Sequence, residues 1–243
     1  MTSTTAKNGR LGNQIIRNLA VSLIAEKHNL KVEYCNKELI QKLGIELFSG
    51  TNSYTTTKEL TDENYFTIYT SKNLNYNLNP NNHYFQTKQI TTMLYTYLHT
   101  PHIKSKIISN NPFKDRYKNN NDLFIHIQLT DAEKFNPGIT YYRNAIKKIS
   151  FDTLYIATDD KNNPMIKKLF EFYPSSRIVP FDEITTFKFA STCKHILLSH
   201  GSFSAIIGYL SFFSDVYYPE YEANKIWYGD MFSIDTWNKL SIH

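Results

Sequence analysis

Four short stretches of this chain combine residue types that do chemistry. GRLGNQ (Gly9–Gln14) sets two glycines three positions apart around Arg10, in a chain that has only eight glycines. HIQLTD (His126–Asp131) offers His126, Gln128, Thr130 and Asp131 within six residues. ATDD (Ala157–Asp160) places Asp159 and Asp160 side by side after Thr158. SHGSFS (Ser199–Ser204) supplies His200, Gly201, Ser202, Phe203 and Ser204.

Each stretch suits particular partners. Gly9 and Gly12 can take positive φ and let the backbone come close to a ligand. A glycine loop that opens a helix presents unpaired N–H groups and a positive dipole end, both suited to phosphate. Leu11 and Gly12 would lend such N–H groups, Arg10 could fork onto phosphate oxygens, and Asn13 is the expected N-cap. A tight turn with a capped helix is the plainer alternative. A dinucleotide fingerprint is excluded, because Gln14 and Ile15 stand where a third glycine belongs. The second stretch could bind sugar hydroxyls or a nucleotide, with His126 either a base or a core histidine. The Asp159–Asp160 pair could do acid/base work, bind a metal, or cap the next helix. In the fourth stretch Gly201 directly precedes Ser202, which breaks the GxSxG elbow of serine hydrolases. Anion or sugar binding suits it better than nucleophilic catalysis.

The elements that must position these residues follow from hydrophobic periodicity. A short strand at 3–6 leads into the glycine loop. A helix over 13–28 carries Ile16, Leu19, Ala20, Leu23 and Ile24 on one face, with Arg17, Asn18, Ser22 and Glu26 opposite. A strand at 31–34 completes a β-loop-α-β unit, for which parallel pairing is the default. The polar middle suggests short strands at 66–69 and 83–86 and helices at 89–99 and 102–109. The run 110–121 reads as an inter-domain linker. Beyond it, strands at 123–128, 153–158, 177–179, 195–199 and 215–218 alternate with helices at 140–149, 164–173, 183–192 and 202–213. That is a Rossmann-like parallel sheet, which binds ligands beyond the carboxyl ends of its strands. Gln128–Asp131, Thr158–Asp160 and Ser199–Ser202 all fall at such ends.

Composition narrows the function classes. The chain has 243 residues, 41% of them apolar and 20% charged, as expected of a globular protein. A net charge of +5 without a clustered basic tract argues against nucleic-acid binding and for a mild pull on anionic substrates. Cys35 and Cys193 fall in no metal-type spacing and are expected to be reduced and structural. With no signal peptide and no apolar run of about 18 residues, a cytoplasmic location is expected, without a membrane span.

Taken together with YYRNAIKKI (Tyr141–Ile149) and CKHILLSHGSFSAIIGYL (Cys193–Leu210), the four stretches resemble the alpha-1,2-fucosyltransferase family in order and spacing over most of the chain. The resemblance implies an α/β fold of the GT-B type, with two Rossmann-like domains and parallel sheets facing across a cleft. Residues 1–112 would form the acceptor-side domain and 113–243 the nucleotide-sugar domain, its last helix free to pack back on the first. It implies inverting transfer of a 6-deoxyhexose from a nucleotide sugar to a glycan hydroxyl, with no metal or other cofactor. Asp131 or His126 would be the base. Arg10, Gln128, Ser202 and Ser204 would hold the diphosphate, and Asp159 or Asp160 the ribose or nucleobase. The glycine loop would face the diphosphate and donor sugar, with Asn13 hydrogen-bonding from the helix start.

Gln128 stands where the family has an arginine that neutralises the departing diphosphate. His200 and Gly201 replace the usual Asn-Ser, and Ala205 and Ile206 the usual tryptophans. GDP-fucose is the first expectation for the donor. The departures keep a UDP-, dTDP- or GDP-linked rhamnose or other deoxysugar open, and also a sugar-nucleotide binder without activity.

Overall fold

The computed structural model describes residues 1–130, 133–221 and 229–242. The chain forms two compact units, Met1–Asn110 and Asn111–His243. Both are α/β, and every strand pairing in them is parallel.

The first unit is built around one helix. β1 (Thr2–Ser3) and β2 (Val32–Glu33) pair in parallel, linked through α1 (Leu11–His28). Asn29 ends α1 in the left-handed region and returns its N–H to the Ala25 carbonyl. The short helix α2 (Lys37–Lys42) follows. β3 (Thr57–Glu59) and β4 (Asn77–Asn79) pair around α3 (Tyr65–Thr70), and α4 (Lys88–Leu98) and α5 (Pro101–Ser109) complete the unit.

Three expectations for this half are corrected. The expected polar face of α1 is buried except at Glu26, which is exposed: Arg17 and Asn18 are 0% exposed and Ser22 3%. Their polar atoms find backbone partners instead of water, Asn18 on the Cys35 carbonyl and Ser22 on the Phe48 amide. Residues 66–69 are helical in α3 rather than a strand. Tyr65 and Ile68, one helical turn apart, are buried, and the Tyr65 hydroxyl donates to the Ala20 carbonyl of α1 at 2.9 Å. Aromatic β-propensity yields there to packing. Residues 83–86 form no strand, and Phe85 sits in the left-handed region at φ 55°.

The second unit carries one six-stranded sheet. Its strands are β5 (Leu123–Ile127), β6 (Leu154–Thr158), β7 (Arg177–Ile178), β8 (His195–Leu197), β9 (Asp215–Pro219) and β10 (Asn238–Leu240). Their spatial order is β10-β9-β8-β5-β6-β7. Helices α6 (Gly138–Lys148), α7 (Pro164–Phe172), α8 (Glu183–Ala190) and α9 (Gly201–Tyr209) make the crossovers. β5 is central, pairing Leu123 with Leu154 on one side and with His195 on the other. Leu123, Phe124, Ile125 and Ile127 are each 0% exposed, and burying each contributes about 2 kcal/mol. A strand covered on both faces reads as this continuous apolar run.

One further expectation changes here. Of the expected linker 110–121, residues 111–121 are folded into the second unit. Asn111 donates to the Lys188 carbonyl at 2.9 Å, and Arg116 pairs with Asp122 at 2.7 Å while lying over the Phe189 ring. After β9 the chain returns as β10, which pairs with it. Trp237, just ahead of β10, lies against Gly208 of α9, where a Cβ would collide with the indole.

Candidate functional site

The order of the second sheet dictates where its ligand site belongs. From β5 the chain winds outward through β6 to β7, then crosses back to β8 and winds the other way. β5 and β8 are the strands where the winding reverses, and the crevice beyond their carboxyl ends is the binding place of such sheets. The residues there are Gln128–Thr130 after β5 and Leu198–Gly201 after β8, with Asp159 beyond the neighbouring β6.

These tips are in contact. Gly201 has φ 86°, and a Cβ there would stand 2.5 Å from the Gln128 side-chain oxygen. Gly201 is therefore required twice, for its backbone and for the space. Gln128 is buried, and its main-chain carbonyl accepts from the Asn136 side chain at 3.0 Å. Asp159 accepts from the Leu129 amide at 2.7 Å and from the Thr130 hydroxyl at 2.5 Å, tying the β6 tip to the β5 tip. Thr158 bonds to the Asp160 amide at 3.2 Å, and Asp160 accepts from the Asn162 amide at 3.0 Å. Neither aspartate caps α7. Asn163 does so, accepting from the Met165 amide.

His126 lies inside β5 at 6% exposure, with Nδ1 2.6 Å from the Ser204 hydroxyl. Its ring stacks on Phe203, which stacks in turn on Phe187. Ser204 is thus a partner of His126 and not a helix cap; His200 occupies the N-cap position of α9 without a side-chain cap bond. His200 Nδ1 is 3.1 Å from the Ser199 hydroxyl. Burial pushes the Tyr141 and Tyr142 hydroxyls well above their ordinary pKa. Tyr141 stays protonated and donates to the Leu198 carbonyl at 3.0 Å, anchoring the β8 tip from below. Asp131 lies outside the described residues.

Beside this crossing is a cavity of about 150 Å³. Gly201, Tyr218, Glu220, Phe232 and Lys239 are among its lining residues, so it offers flat aromatic faces and both signs of charge.

The glycine loop of the first unit has its own bracing. Arg10 is exposed and occupies the N-cap position of α1; Asn13 does not cap it. Leu11 begins the helix and is buried. Gly9 has φ 91°, and a Cβ there would collide with the Asn13 side chain. Arg17 donates to three main-chain carbonyls: His83 from Nε at 3.1 Å, Thr5 from Nη1 at 3.0 Å and Asn8 from Nη2 at 3.1 Å. Burial pulls its pKa below the ordinary arginine value, yet a guanidinium remains charged. Gln14 donates to the Gly9 carbonyl at 2.8 Å and accepts from Asn36. In a trans peptide the carbonyl and the following N–H point in opposite directions. Drawing the Asn8 and Gly9 carbonyls toward Arg17 and Gln14 therefore turns the Gly9 and Arg10 amides the other way. Gly12 and Asn13 add first-turn amides.

Sequence reasoning missed Arg17, Gln14, Gln86 and Asn136. For Arg17 a signal existed: it stands four positions after Asn13 and three after Gln14, on the helix face that carries the loop. Among the described residues no group of three or more His, Cys, Asp or Glu could hold a metal ion, and no helix is long and apolar enough to cross a membrane.

The sequence matches no protein-family model and no curated protein. Among solved structures the chain is similar to the E. coli heptosyltransferase WaaC with ADP, at 10% identity and a TM-score of 0.42, over 90% of this chain and 87% of that one.

Proposed function

We propose that this protein is an inverting glycosyltransferase that moves a 6-deoxyhexose, fucose first, from a nucleoside-diphosphate sugar to a glycan hydroxyl. One observation carries the reading: the β5 and β8 tips meet at the reversal of an all-parallel sheet, and both tips belong to the stretches that resemble the fucosyltransferases.

In this reading the second unit holds the donor. The nucleobase enters the aromatic-lined cavity beside Gly201, and the diphosphate meets the first amides of α9 at Gly201, Ser202 and Phe203. Asp159 and Thr130 fix the strand tips that shape the site. The acceptor hydroxyl attacks the anomeric carbon while a base takes its proton. The bond to the diphosphate breaks, and the nucleoside diphosphate leaves with the electron pair. Asp131 is the base. His126, buried and bonded to Ser204, holds α9 against β5. Arg10 is the exposed cation of the glycine loop, and Arg10→Ala lowers turnover at least about tenfold without unfolding the protein. The co-substrate is the only small molecule the scheme invokes.

A second reading has its own support. Gln128 is neutral, buried and pressed against Gly201 where the family has a charged arginine, which suits a binder of sugar nucleotides that does not transfer. One experiment separates the two. Thermal shift with GDP, UDP and dTDP identifies the nucleotide, and release of that nucleotide from fucosyl and rhamnosyl donors is then measured. Release that requires an acceptor and is lost in Asp131→Asn supports transfer. Binding with no donor consumed supports the binder. No binding by any of the three defeats both.

A further inference from the structure

We propose that Gln86, paired with Asn13, forms a subsite for a sugar hydroxyl in the first unit. The side chain of Gln86 is 2% exposed, and its Nε2 donates to Asn13 Oδ1 at 2.7 Å. Its Oε1 is buried and finds no hydrogen-bond partner among the described residues. A buried acceptor left in this state costs stability, and a bound ligand group is one way a folded protein completes it.

The location gives the ligand's address. Asn13 lies in the first turn of α1, and its side chain packs under Gly9, so the Gln86 amide abuts the glycine loop. Phe85, immediately before Gln86, is wholly buried and held in the left-handed region at φ 55°, a costly position for a bulky residue. Rings of Tyr65 and His83 flank it, fixing the backbone that presents the amide.

Chemistry gives the ligand's class. A carbonyl oxygen repels phosphate, so the unsatisfied atom asks for a donor. Turning both amides over would leave a buried N–H in its place, which asks for an acceptor. A hydroxyl serves either, as donor and acceptor in one group. A neutral polyol satisfies the site whichever way the amides face, and a free anion does not satisfy the Oε1 arrangement. The identity of that polyol as a substrate sugar rests on the transferase reading above; the hydroxyl subsite itself does not.

The test uses the full chain and two neutral probes, methyl α-L-fucoside for the donor sugar and methyl β-D-galactoside for an acceptor. In protein labelled with ¹⁵N-glutamine, the Gln86 side-chain amide is identified by its absence in Gln86→Met. The expected result is that this signal moves on titration with one of the probes, and which probe moves it tells donor from acceptor. Gln86→Met, similar in shape and without the buried acceptor, is expected to melt no lower than the parent while binding the sugar at least about tenfold more weakly. A Gln86 signal unmoved by both sugars overturns the proposal, and so does full sugar binding by Gln86→Met. Should that variant fail to fold, the titration of the unaltered protein decides alone. Nucleotide release is measured on the same preparations. Sugar binding at Gln86 without release from any donor removes the transferase reading and keeps the subsite; release with no movement at Gln86 removes the subsite only.

Discussion

The glycine turns at Gly9 and Gly201 each lead into a helix, and the two are braced in opposite ways. Gly9 and Gly201 have nearly the same φ, 91° and 86°. Behind Gly9 the support is polar and directional. One buried guanidinium and one buried amide catch the loop's carbonyls. Behind Gly201 the support includes a stack of rings, His126 on Phe203 on Phe187, with the His126 ring bonded to Ser204. A polar brace fixes each peptide's orientation but fails if one donor is lost. A ring stack fixes distance by volume and tolerates the loss of a single bond.

The largest effect expected from this contrast is at Arg17. Arg17→Ala strands three carbonyls and empties a buried site, and is expected to cost about 4 kcal/mol in urea unfolding followed by circular dichroism. Arg17→Lys should recover less than half of that, because one ammonium cannot reproduce a three-way fork. Full rescue by lysine would show that charge, and not geometry, holds the loop. Next comes Gly201→Ala, at about 2 kcal/mol, from left-handed strain plus the approach to Gln128. Gln128→Ala in the same chain should return part of it in a double-mutant cycle; strict additivity would deny the contact. Ser204→Ala should cost only about 1 kcal/mol, since the stack persists. A loss equal to that of Arg17→Ala would erase the distinction between the two braces.

The smallest effect concerns pH, at the far end of the strand that carries the Gly201 turn. His195 opens β8, and burial lowers its pKa while Asp215 partly opposes this. The unfolded chain therefore takes up the proton more readily than the folded one. Its contribution is complete above the ordinary histidine pKa of about 6.5 and is lost as pH falls below it. A shallow acid-side decline in melting temperature, flattened in His195→Gln, is expected. An unchanged slope in that variant would assign the decline elsewhere.

The second unit was more legible in the sequence than the first. Its central strands β5, β6 and β8 are largely buried and helices lie between successive strands, so pattern and packing agree over most of β5 to β9. β10 escaped because Asn238–Leu240 is a three-residue, polar edge strand with no apolar signal. The first unit hid its logic in α1. Arg17, Asn18 and Ser22 look like a solvent face until the backbone groups they satisfy are known, and those come from residues as distant as His83. The site divided in the same way. Strand tips placed Gln128, Thr130, Asp159 and Gly201 together, as a parallel sheet requires. Gln86 and Asn136 lie in irregular segments, which no periodicity marks.

The indole of Trp237 rests on α9 at Gly208, two turns along the helix that begins at Gly201. The chain has one other tryptophan, Trp227. Replacing Trp227 with phenylalanine would leave a single tryptophan, wedged against the helix that meets the diphosphate in the proposed donor site. If the donor site is where the proposal puts it, that indole is an optical gauge of occupancy, readable without dye, label or turnover.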